Sequence, residues 1–138
     1  QPTLEGALAA MRPACEQAGI VEAAQVLIAT HGTGTPLNDK NEADAVHALF
    51  GARAKQHPVI ATKSAHGHLI GASTALQAVI AIMALRERLA PPILNVTEPD
   101  PECDLDLVLQ PRAIEAEAML LNAFAFGGLN TSLVFKRI

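Results

Sequence analysis

The chain contains no tryptophan and no tyrosine, and four phenylalanines are its whole aromatic complement. Single-stranded nucleic acids are held by stacking on aromatic rings, so such a partner fits poorly. Positive charge is also scarce. Ten Lys and Arg against fourteen Asp and Glu leave a net charge of −4. No large basic surface is available to neutralise a phosphate backbone, so no nucleic-acid partner is expected. Cysteine occurs only at Cys15 and Cys103, a separation that matches no metal or redox spacing. Two reduced thiols are expected, and neither needs an oxidising compartment. Gln1-Pro2-Thr3-Leu4-Glu5 lacks both the basic and the apolar region of a signal peptide. It also lacks an initiator Met, as a piece of a longer protein would. A long run without charge, Leu69 to Leu85, includes Gly71, Ser73, Thr74 and Gln77. It falls short of the roughly 18–20 apolar residues of a membrane span. A buried helix is expected instead.

Half of the residues are hydrophobic, mostly Ala, Leu, Ile and Val, and the 138 residues suit one domain over 1–138. Leu4, Leu8 and Met11 recur at helical spacing over residues 4–18, with Pro13 expected to kink or split that helix. Residues 25–29 form a short continuous apolar run, the pattern of a strand buried on both faces. A second such run covers 59–62. After the first comes a loop rich in Gly and hydroxyls, then a helix burying Ala43, Val46, Leu49 and Phe50. Asp39 is placed to cap that helix, with Glu42 completing a capping box. After the second comes a glycine-rich loop over 63–71 and an almost wholly apolar helix over 72–89. Such a helix belongs at the centre of a layered fold. Pro91-Pro92 should end it. Strands are expected over 105–109, 119–124 and 131–135. One α/β domain with a mixed five-stranded sheet packed with helices is the architecture this order implies.

Both glycine-rich loops follow a buried strand and lead into a helix. Sites in open α/β sheets form beyond the carboxyl ends of the strands. His31, Lys63 and His68 should therefore converge. A phosphate cradle of the G-x-x-x-x-G-K-[ST] kind is absent, and so is the dinucleotide pattern G-x-G-x-x-G. His31, His66 and His68 as metal ligands would lack acidic or cysteine company and would compete with Lys63, so no metal is expected. Histidines that only satisfy backbone groups are the plainer alternative. Two such loops in one short chain weigh against it.

Three motifs make the pattern specific. His31-Gly32-Thr33-Gly34-Thr35 followed by Asp39 and Glu42 resembles the H-G-T-G-T-x-x-x-D-x-x-E signature of β-ketoacyl-[acyl carrier protein] synthases. Lys63-Ser64 with Gly67-His68 and Gly71-Ala72 resembles their K-S-x-x-G-H-x-x-G-A signature. The segment from Asn122 to Asn130 resembles their N-S-F-G-F-G-G-T-N loop. The order and spacing are also those of the family, and the likeness covers essentially the whole chain.

That resemblance implies the C-terminal half of a thiolase-like fold built from two similar α/β halves. It implies decarboxylative condensation of an acyl thioester with malonyl-carrier protein, in fatty-acid or polyketide synthesis in the cytoplasm. His31 and His68 would be the histidine pair that assists loss of carbon dioxide, and Lys63 would organise His68 while paired with Glu42. Asp39 would support them. Thr33 and Thr35 would bind the phosphopantetheine arm of the carrier protein. Phe126, between Ala125 and Gly127, would be a gating phenylalanine, with Phe124, Gly127 and Gly128 beside it on the substrate's path. No cofactor of this chain's own is implied. The implied partners are acyl carrier protein, the N-terminal half of the same enzyme with its nucleophilic cysteine, and a second subunit in a homodimer or heterodimer. Without that cysteine this chain alone should be inactive. The chain departs from the family at His66, Ser73-Thr74, Ala125 and Leu129. The last two keep open a second implication, a non-catalytic partner resembling a chain-length factor.

Overall fold

The computed structural model describes residues 3–137. Helix α1 spans Leu4–Ala18 and is capped by the Thr3 side chain, which accepts from the Gly6 amide. Strand β1, Val26–Ala29, is wholly buried. Helix α2, Pro36–Phe50, runs into a 3-10 turn over Gly51–Gln56. Then come β2, Pro58–Ile60, the short helix α3, Lys63–His66, and the long helix α4, Ser73–Glu87. Short strands β3, Leu89–Ala90, β4, Asp106–Leu107, and β5, Arg112–Ala113, precede β6, Ala118–Phe124, and β7, Asn130–Lys136.

The main sheet has the order β4-β2-β1-β6-β7. β1 pairs in parallel with β2 and β6, β2 in parallel with β4, and β7 antiparallel with β6. The sheet is therefore mixed and five-stranded, as expected. The apolar runs are continuous because both faces are covered. Val26, Ile28 and Leu120 join Met11 and Cys15 of α1 and Val46, Leu49 and Phe50 of α2 on one face. Leu27, Met119 and Leu121 join Ala81, Ala84 and Leu85 of α4 on the other. Each large side chain buried in this way contributes about 1.5–3 kcal/mol. β1 and β2 are neighbours, yet the helices that follow them lie on opposite faces. Their outgoing loops diverge, and a crevice opens at the carboxyl ends of the strands.

Several expectations are corrected. Pro13 does not divide α1, which is one helix through it. Both Pro13 and Ala9, whose carbonyl loses its donor, lie on the exposed side, while Ala7, Met11 and Cys15 hold the inner face. Water can take the freed carbonyl, so the helix continues. Asp39 is not the cap of α2. The helix begins at Pro36 with Thr35 as N-cap, because proline's fixed φ suits the first helical position. The 63–71 segment is not all loop, since α3 occupies its first part. α4 stops before Pro91, at Arg88, whose backbone is left-handed with φ 52°. The pair β3–β5 was not foreseen.

The α4 region also departs from its reading. With the preceding turn, Ile70–Glu87 is 18 residues long and apolar enough to cross a membrane by length and composition. Its inner face packs on the sheet, and its buried polar side chains are bonded, Ser73 to the Leu69 amide and Gln77 to the Thr30 carbonyl. Its outer face is not covered within this chain: Val79 is 58% exposed, Ile82 40% and Met83 45%.

Candidate active site

Beyond β1, Thr30 stays in register with β2: its amide and its hydroxyl both donate to the Ile60 carbonyl, at 3.0 and 3.1 Å. The chain then leaves the sheet at His31. Gly32 has φ 51°, and a Cβ there would lie 2.7 Å from Thr30 Oγ1 and 2.9 Å from Ala61 Cβ. Only glycine fits that turn.

Glu42 clamps the turn from α2. Its Oε1 accepts from the His31 amide at 2.8 Å and its Oε2 from the Gly32 amide at 3.1 Å. Asn122 Nδ2 donates to the same Oε1 at 2.9 Å, and Ser132 Oγ donates to Asn122 Oδ1 at 2.8 Å. The capping-box role expected for Glu42 is thereby corrected, because its carboxylate is turned to the loop and not to the start of α2. Burial pushes its carboxyl above the usual range, while Asn122 and the two backbone donors pull it back.

Lys63, at the start of α3, donates from Nζ to the His31 carbonyl. Burial lowers its pKa, opposed by the charges of Glu42 and Asp39. Lys63 is coupled to Glu42 through charge, while its direct hydrogen bond goes to the His31 carbonyl. Lys63 thus holds the His31 segment, and other groups hold His68.

His68 Nδ1 accepts from the Ile70 amide at 3.0 Å and lies 3.2 Å from Ser73 Oγ. Ser73 Oγ in turn accepts from the Leu69 amide at 2.8 Å. An Nδ1 that accepts leaves the proton of a neutral ring on Nε2. The two imidazoles meet edge to face, with centroids 5.7 Å apart and an interplanar angle of 80°. The Phe124 ring also lies near His31, with centroids 5.9 Å apart. Burial lowers the His31 pKa to about 4, helped by the charges of Lys63 and His68. His31 is therefore neutral at physiological pH.

A cavity of about 510 Å³ lies beside His68, lined among others by Thr33, Asp39, Glu42, Lys63 and Asn95, while His31 is not among its walls although Thr30 and Gly32 on either side of it are. Thr35 lies beside it, its hydroxyl 3.0 Å from that of Thr33. Phe124, Phe126, Gly127 and Gly128 are not among its walls. Phe126 is fully exposed, and Gly127 and Gly128 are left-handed at φ 79° and 80°. The Ala125 amide closes that turn on the Leu129 carbonyl at 3.1 Å. His66 turns onto its own loop, with Nδ1 donating to the Gly67 carbonyl at 2.7 Å and Nε2 accepting from Thr62 Oγ1 at 3.1 Å. Among the described residues no group of three His, Cys, Asp or Glu side chains could hold a metal ion.

The residues that sequence reading left without a role are Asn122, Ser132, Ser73 and Gln77. Asn122 and Gln77 did carry a signal, as polar side chains inside apolar runs. Ser64 is another: its Oγ accepts from the Leu94 amide at 2.9 Å, and its carbonyl accepts from Asn95 Nδ2 at 3.2 Å. Those bonds tie the lysine segment to the strap beyond Pro92.

Residues 1–97 match the family described as beta-ketoacyl synthase, C-terminal domain. The chain belongs to that family. It is 41% identical over 138 residues to Nodulation protein E of Rhizobium meliloti, covering 99% of this chain and 34% of that protein. It is 42% identical over 137 residues to 3-oxoacyl-[acyl-carrier-protein] synthase 2 of Synechocystis sp., covering 99% of this chain and 33% of the relative. Among solved structures, a beta-ketoacyl synthase from Burkholderia phymatum superposes with a TM-score of 0.91 at 40% identity, over all of this chain and 34% of that one. The chain thus spans about a third of the length of the relatives it matches. Its fold is that of the C-terminal part of a thiolase-like ketosynthase.

Proposed function

We propose that this chain is the C-terminal part of a β-ketoacyl-[acyl carrier protein] synthase that joins an acyl thioester to malonyl-carrier protein with loss of carbon dioxide. The supporting observation is the pairing of His31 and His68, two rings 5.7 Å apart, the first held neutral and the second with its proton directed to Nε2. As the malonyl C–C bond breaks, its electron pair moves toward the thioester carbonyl, and negative charge builds on that oxygen. Neutral N–H donors aimed at the oxygen lower the barrier, because they are already oriented before the charge appears. The carbanion carbon then attacks the acyl thioester, and the cysteine sulfur leaves. That cysteine belongs to the part of the enzyme beyond this chain, so this chain alone performs no condensation.

Thr33 and Thr35 are suited to bind the phosphopantetheine arm of acyl carrier protein beside the cavity. Phe126 fits a gate, since a fully exposed ring followed directly by two left-handed glycines can swing. The uncovered face of α4 is proposed to pack against the N-terminal half, and the full enzyme to act as a dimer in the cytoplasm. A second reading, a non-catalytic partner subunit, draws on Ala125 and Leu129. The intact His31, Lys63 and His68 arrangement favours the enzyme.

The test uses the complete protein and malonyl-carrier protein labelled at its free carboxyl. Wild type should release labelled carbon dioxide, and His68→Ala should abolish the release. Undiminished release by that variant would remove the assignment.

A further inference from the structure

Gln77 is a polar side chain buried inside an apolar helix. It sits in α4, is 1% exposed, and has Ala75, Leu76, Ala78 and Val79 as its neighbours in sequence. A primary amide buried without a partner costs several kcal/mol, so its bond identifies its task. Gln77 Nε2 donates to the Thr30 carbonyl. A carbonyl only accepts, so the nitrogen of the amide must face it.

The position of that carbonyl gives the bond its meaning. Thr30 spends its amide and hydroxyl on Ile60, but its carbonyl begins the peptide unit leading into His31. The other end of the same unit, the His31 amide, donates to Glu42 Oε1 at 2.8 Å. A planar trans peptide presents its C=O and N–H in opposite directions. One unit is therefore gripped from α4 on one face of the sheet and from α2 on the other. The grip fixes ψ of Thr30 and φ of His31 together, the two angles that set where the His31 Cβ and ring point. Lys63 then holds the next carbonyl.

We propose that Gln77 is a positioning residue, whose amide locks the Thr30–His31 peptide and so aims the His31 imidazole at its neighbour His68 and the reacting thioester. The proposal rests on the reading of His31 as a group of the decarboxylation step. A tilt of one peptide plane displaces a ring at the end of its side chain by about 1 Å, enough to slow chemistry up to about 100-fold.

The test is made in the complete protein with labelled malonyl-carrier protein, on Gln77→Met, Gln77→Glu and His31→Ala. Methionine matches glutamine in length and lacks the donor. Its variant should lose kcat for carbon dioxide release about 10-fold or more with KM unchanged, since substrate contacts are untouched. Glutamate can donate to the Thr30 carbonyl only when protonated, which burial favours. The activity of Gln77→Glu relative to wild type should therefore rise as pH falls from 8 to 5.5. Wild-type kcat in Gln77→Met, or a ratio for Gln77→Glu that does not change with pH, would overturn the proposal. Should Gln77→Met fail to fold, the pH ratio decides alone. His31→Ala separates the two levels. If it loses decarboxylation while both Gln77 variants match wild type, only the positioning role falls. If it keeps full activity, the reading beneath it falls as well.

Discussion

At Ile70 the backbone is left-handed, with φ 50°, a conformation that crowds a β-branched side chain. Its amide is the donor that holds His68 Nδ1, so local strain and ring orientation meet at one residue. His57 shows a different tension. It is fully buried, its Nδ1 accepts from the Val26 amide at 3.1 Å, and its Nε2 has no partner. Its ring lies 4.2 Å from that of Phe50. Burial lowers its pKa to about 4, with the Arg53 charge adding to the effect. An unfolded histidine binds its proton near 6.5. As pH falls below that value the unfolded chain gains a proton that folded His57 refuses. Stability is therefore full above 6.5 and declines toward pH 4, by about 3 kcal/mol for this group. Denaturant melts between pH 7 and pH 4.5 should show that decline. The His57 Cε1 proton should titrate near 4 by NMR, and a midpoint near 6.5 would refute it. Sequence reading could not reach these partnerships, because partners such as Glu42 and Asn122 are 80 residues apart. It could see that a polar residue interrupted an apolar run, but it could not see what the residue touched.

Elements were more legible. β1, β2 and β6 announced themselves as unbroken apolar runs because the sheet is covered on both sides. The two-residue strands β3 and β5 could not, since two residues carry no period. The division expected at Pro13 failed for a related reason: sequence shows the missing donor but not that its acceptor faces water. The turn at Gly32 was legible as glycine, and the structure supplies the cause. Gly32→Ala should cost about 2–4 kcal/mol, from left-handed backbone strain and from the clash with Thr30 and Ala61. Urea denaturation of the chain measures it, and a loss below about 1 kcal/mol would show that the turn can shift aside.

For the whole molecule, the sequence promised a central helix, and the structure covers only one face of it. Ile82 and Met83 leave an apolar stripe in solvent together with Val79. Contiguous apolar surface of that kind drives association. The chain by itself should self-associate in a concentration-dependent way, and Ile82→Glu with Met83→Glu should shift sedimentation toward the monomer. An unchanged distribution would locate the sticky surface elsewhere. The chain of contacts from Ser132 through Asn122 and Glu42 to the His31 and Gly32 amides also has a practical consequence. Strand β7 and the first histidine loop are fastened by one string of polar contacts, buried at its centre. A deletion or bulky fusion that pulls the last strand out of place would disarm the imidazole at the opposite end of the sequence, although nothing near that ring had been altered.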